Sequence, residues 1–117
     1  MTTVAVVTPV YEDRDSFDRL CQKLSDVSRA AALRFYVIAV DDGSLAAPPE
    51  AASISRAGLE GEVLRLARNV GHQMAISIGL AQASNMPGLS ACVIMDSDGE
   101  DTPESIPGLL AALSAGS

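Results

Sequence analysis

The chain has 117 residues, a formal net charge of −7, 48% hydrophobic residues and only 3% aromatic ones. That length suits one domain rather than two, the hydrophobic share excludes a disordered chain, and the negative balance excludes a nucleic-acid surface and a polybasic membrane patch. No apolar run approaches the roughly 18 residues a membrane span needs, the N-terminus lacks the basic stretch that opens a signal peptide, and Cys21 and Cys92 are too few for a disulfide framework. A reducing cytoplasm is the expected setting, with both cysteines as small core residues.

Residues 4–10 form an apolar run that reads as a buried strand. Residues 13–32 read as a helix, with Phe17, Leu20, Leu24 and Val27 near helical spacing. A second apolar strand, 35–40, is closed by Asp41-Asp42-Gly43-Ser44. Pro48-Pro49-Glu50 is expected to open a short helix to about residue 56, since proline fits a first turn. The turn around Gly58 and Gly61 leads to a third strand, 63–67, and a third helix follows from 71 to 84. On that helix Met74, Ile76, Ile78 and Leu80 are the expected core residues and Gly79 a close-packing position. A fourth strand, 91–95, precedes a helix that starts at Thr102-Pro103-Glu104, capped by Thr102 or Asp101. Strands alternating with helices give βαβ units and a parallel sheet.

The fourth strand runs straight into Asp96-Ser97-Asp98. Two carboxylates one residue apart, with no adjacent Lys or Arg, repel each other and need a partner. A divalent cation is the common one: Mg²⁺ takes one or two carboxylates and fills its shell with substrate phosphates and water. An acidic turn between strand and helix is the plainer reading of the same residues. The other strands also end in polar chemistry: Thr8-Pro9-Val10-Tyr11-Glu12, Asp41-Asp42-Gly43-Ser44 and Arg68-Asn69-Val70-Gly71-His72. In a parallel sheet all four ends lie along one edge, where open α/β sheets bind ligands.

These four motifs, in this order, resemble the N-terminal half of family 2 inverting glycosyltransferases with the GT-A, nucleotide-diphospho-sugar transferase fold. Gly71-His72-Gln73-Met74-Ala75, with Gly79-Leu80, Ala83, Asp98 and Pro103-Glu104, is more similar still to the polyprenyl-phosphate members of the dolichyl-phosphate-sugar synthase type. The resemblance covers nearly the whole chain. It implies a partial GT-A fold: an α/β three-layer sandwich over residues 1–117, with a mainly parallel sheet in strand order 3-2-1-4.

The resemblance also implies roles. Pro9, Tyr11 and Glu12 would line the nucleoside pocket, with the Tyr11 ring free to stack on a base. Asp42 would accept a hydrogen bond from the base, with a turn-forming role for Asp42 or Asp41 as the alternative. Arg68 would add positive charge near the diphosphate, Asp96 would sit near the ribose or the metal, and Asp98 would bind a Mg²⁺ or Mn²⁺ ion bridging the two phosphates. That ion neutralises charge on the departing nucleoside diphosphate. The implied reaction transfers a sugar from a nucleoside-diphosphate sugar, with inversion, to a polyprenyl phosphate during cell-envelope synthesis, at the inner face of the cell membrane.

A complete domain of this kind is about twice as long as this chain. The catalytic base is therefore expected in a further half, and this stretch alone is expected to bind donor without turning it over. It is also expected to self-associate, through the fourth strand's edge or the apolar face of the fourth helix (Ile106, Leu109, Leu110, Leu113). Two other readings fit parts of the pattern. Asp96-Ser97-Asp98-Gly99 is similar to the Asp-x-Asp-Gly signature of haloacid dehalogenase phosphatases, although that motif follows the first strand there. A non-catalytic nucleotide-binding or assembly module is the other.

Overall fold

The sheet order is β3-β2-β1-β4 with every pairing parallel, seen in a computed structural model that describes residues 2–97 and 102–116. Asp98, Glu100 and Asp101, and the roles expected of them, lie outside the described residues. The elements run β1 (Thr2–Val10), α1 (Arg14–Ala31), β2 (Leu33–Asp41), α2 (Ala51–Arg56), β3 (Glu60–Arg65), α3 (His72–Ser84), β4 (Ala91–Ile94) and, after a 3₁₀ turn at Pro103–Ser105, α4 (Ile106–Gly116). The strand order is the one the sequence implied.

β1 and β2 are central and buried on both faces over most of their length, which is why they read as largely apolar runs rather than alternating ones. One face of the sheet carries Val4, Val6, Val10, Phe35, Val37 and Ala39 against Phe17, Leu20, Leu24 and Val27 of α1, Ile54 of α2, and Ile106. The other carries Ala5, Val7, Ile38 and Val40 against α3. The result is three layers.

α1 starts where Asp13 accepts a hydrogen bond from the Ser16 amide (3.2 Å). Asp15 in its first turn and Arg29 in its last both suit the helix dipole.

α3 departs from the expected core. Its buried line is Ala75, Gly79 and Ala83, while Met74 is 54% exposed and Leu80 37%. The small-residue line lets the helix lie close on the sheet. A Cβ at position 79 would stand 2.4 Å from Val7 Cγ1 and 3.0 Å from Val40 Cγ2, so Gly79 is the close-packing position it was read to be.

Two boundaries also differ. Pro48 and Pro49 lie before α2, whose N-cap is Glu50. Their carbonyls serve as anchors instead, accepting from Arg14 Nε (3.0 Å) and Arg65 Nη2 (3.5 Å). β3 begins at Glu60 rather than at residue 63. It is an edge strand, and its acidic Glu62 is held by Tyr36 Oη (2.6 Å) and Gln82 Nε2 (3.0 Å). That bond, ahead of burial, pushes the Tyr36 hydroxyl up to about 12. At the opposite edge Ile94 is 45% exposed and Cys92 is exposed, whereas Ile106 is fully buried. Leu109 is half-exposed, Leu110 packs partly on the core, and the Leu113 side chain is outside the description.

Candidate functional site

The register sets the site. Pro9 pairs with Val40 and Val10 with Asp41, so β1 and β2 end level and Tyr11 leaves the sheet beside Asp42. Backbone bonds carry the alignment past the strand ends, from the Asp42 amide to Val10 O (2.9 Å), from Leu66 to Asp41 O (2.9 Å) and from Met95 to Val7 O (3.0 Å). Asp96 therefore emerges on the same edge.

Along this edge the loops are cross-braced one to the next. The β1 loop grips the β2 loop through Glu12. Its carboxylate accepts from the amides of Leu45 (2.9 Å), Ala46 (3.0 Å) and Ala47 (2.7 Å), and its own amide donates to Ser44 Oγ (2.7 Å). The Leu45 amide first, then that of Ala47, hold the Glu12 carboxyl below its usual range. Ser44 in turn donates its amide to Asp41 Oδ1 (2.9 Å). Asp41 is wholly buried and makes the local turn bond, with Arg65 Nε 3.7 Å from its other oxygen.

The β2 loop grips the β3–α3 loop through Asp42, which is 4% exposed. Oδ1 accepts from the Val70 amide (2.7 Å), and Oδ2 from the Gly71 amide (3.1 Å) and Asn69 Nδ2 (3.1 Å). The loops touch so closely that a Cβ on Gly43 would lie 2.5 Å from Asn69 N. The last brace joins α3 to the β4 end, with His72 Nε2 3.2 Å from Asp96 Oδ1.

A cavity of about 250 Å³ opens among these loops, lined by Pro9, Val10, Tyr11, Asp42, Asn69, Gly71 and His72. Of the residues singled out in the sequence, Pro9, Tyr11 and Asp42 meet there. Asp96 joins them through His72. The Glu12 side chain does not line the cavity; it is spent on the β2 loop. Arg68 is exposed and makes no hydrogen bond or ion pair among the described residues. Asn69 and His72 line the cavity as well, and each is placed by a contact between separate loops that leaves no spacing to read in the sequence. A larger cavity, about 510 Å³, sits at the far end of the strands beside Thr2, Leu33 and Leu110, away from every one of these groups.

Residues 5–117 match the family described as Glycosyl transferase family 2. The chain belongs to that family. Among its relatives is the undecaprenyl-phosphate 4-deoxy-4-formamido-L-arabinose transferase of Pseudomonas fluorescens strain Pf-5, 31% identical over 118 residues, covering 97% of this chain and 33% of that one. Another is the dolichol-phosphate mannosyltransferase of Pyrococcus furiosus, 28% identical over 114 residues, covering 97% of this chain and 31% of that one. In three dimensions the chain is similar to S. aureus TarS, with a TM-score of 0.68 at 22% identity over 98% of this chain and 20% of that one. The likeness supports the GT-A fold. The family 2 glycosyltransferase chain thus spans about a third of the length of the curated relatives it matches. No helix among its described residues is long and apolar enough to cross a membrane. Membership in this family sets aside the phosphatase reading of Asp96 and Asp98.

Proposed function

We propose that this chain supplies the donor-nucleotide site of a glycosyltransferase that moves a sugar from a nucleoside-diphosphate sugar, with inversion, to a polyprenyl phosphate. The cavity at the strand ends carries the reading: a tyrosine ring, a buried carboxylate and the first turn of a helix converge there. The relatives named undecaprenyl-phosphate 4-deoxy-4-formamido-L-arabinose transferase and dolichol-phosphate mannosyltransferase support the acceptor class. Tyr11 stacks on the base and Asp42 accepts from it. Asp96 and Asp98 hold Mg²⁺ or Mn²⁺ against the diphosphate, and Arg68 adds a cation near it. Among the described residues no group of three His, Cys, Asp or Glu side chains forms a metal cage. A hard cation that completes its shell with phosphate and water needs none, so a pair of carboxylates fits it. Self-association through the β4 edge and α4 belongs to the same proposal, on the exposure of Ile94 and Leu109.

The hydrogen bonds already made by Asp42 narrow the base. A carboxylate offers about four acceptor positions, and Asn69, Val70 and Gly71 occupy three. The one left, on Oδ1, suits a single ring N–H, as in uracil. Guanine presents two adjacent donors that would need both oxygens. Titration calorimetry with UDP, GDP, ADP and CDP in the presence of Mn²⁺ should show UDP bound at least about tenfold tighter than ADP or CDP, one hydrogen bond to a charged group being worth that much. GDP should fall between. Affinities equal across the four bases would contradict the role given to Asp42.

A further inference from the structure

Glu12 is one of two described non-glycine residues with positive φ (+52°), a left-handed turn that L-residues keep only where their surroundings enforce it. The enforcement is visible on both sides of the residue. Its amide is tied to Ser44 Oγ, and Ser44 to the wholly buried Asp41. Its carboxylate takes the amides of three consecutive residues, 45 to 47. Tyr11 comes immediately before this turn. Tyr11 is 54% exposed and its hydroxyl makes no hydrogen bond among the described residues, so no side-chain hydrogen bond holds it at the cavity.

We propose that Glu12 is a positioning residue for Tyr11: by gripping the amides of residues 45–47 it holds the left-handed turn and thereby fixes the tyrosine ring as the stacking wall of the cavity. The inference rests on the nucleotide reading above, and goes beyond it by giving Glu12 a task away from the ligand.

The chain has two tyrosines, Tyr11 and Tyr36. Labelling with 3-fluorotyrosine therefore gives two fluorine resonances, and Tyr36, bonded to Glu62, serves as reference. In Glu12→Ala, and in Glu12→Gly, which tolerates the turn but lacks the carboxylate, the Tyr11 resonance should shift and narrow while that of Tyr36 stays. UDP affinity should fall about tenfold in Glu12→Ala and in Tyr11→Ala, the worth of one stacked base. The double variant should be no weaker than Tyr11→Ala, because the two residues act as one unit. Glu12→Gln, which keeps one acceptor oxygen, should recover part of the loss. An unmoved Tyr11 resonance, or losses that multiply in the double variant, would overturn the assignment. Should Glu12→Ala disturb Tyr36 as well, through unfolding, Glu12→Gln decides on the same two readouts. Wild-type chain that bound no UDP would sink the nucleotide reading, while the fluorine resonances would still decide whether Glu12 places Tyr11.

Discussion

Asp42→Ala should cost the domain about 2–3 kcal/mol, because a buried carboxylate that accepts from Asn69, Val70 and Gly71 disappears and its donors must find water. For a chain of this size that is a fall in melting temperature of roughly 10–15 °C. Nucleotide affinity should fall with it, since the segment that Asp42 pins carries Asn69, Gly71 and His72, three of the residues lining the cavity. Asp42→Asn should rescue little. Its shape is right, but its NH₂ group must face N–H donors on at least one side. Thermal melts and UDP titrations of the two variants check this, and an Asn variant indistinguishable from wild type in both would show that the carboxylate does not hold the loop.

Gly43→Ala should be comparably damaging, and Gly58→Ala is its internal control. Both glycines have positive φ, +83° and +77°. A Cβ at position 58 meets nothing within 4 Å, so that variant bears only the left-handed backbone cost, about 1 kcal/mol. A Cβ at position 43 meets the backbone of Arg68 and Asn69 at 2.6 and 2.5 Å, which a flexible side chain could evade and a backbone cannot. Forced separation of the two loops adds about 1–3 kcal/mol. Chemical denaturation of the pair reads the difference directly. Equal losses would mean that the loops are not in contact as described.

The architecture was legible because its central strands are buried on both faces. Val4 to Val10 and Phe35 to Val40 carry no charge, only Thr8 and Tyr36 bring a polar group into them, and their spacing by helices forces parallel pairing. What misled was where burial is small or local. α3 hides Ala75, Gly79 and Ala83 and exposes Met74, since close packing on the sheet favours small side chains over large apolar ones. β3 starts on Glu60 because an edge strand can shelter Glu62 with Tyr36 and Gln82. At the candidate site, the first three motifs and Asp96 of the fourth lie along one edge of the sheet, and Pro9, Tyr11 and Asp42 line one cavity there. The partner choices were invisible in the sequence. Glu12 binds amides 33 to 35 residues away and His72 reaches Asp96, and neither contact leaves a periodicity or a spacing to read.

The donor-site account is tested most directly by UDP titration with and without Mn²⁺, on the wild-type chain and on Asp98→Asn. UDP should bind at least about tenfold tighter with the ion, since a close charge–charge contact is worth from about 1 kcal/mol in water to about 4 kcal/mol near a protein surface, and Asp98→Asn should erase that gain while leaving the metal-free affinity and the melting temperature unchanged. Equal affinity with and without Mn²⁺ in the wild-type chain, or a gain that survives in Asp98→Asn, would contradict it.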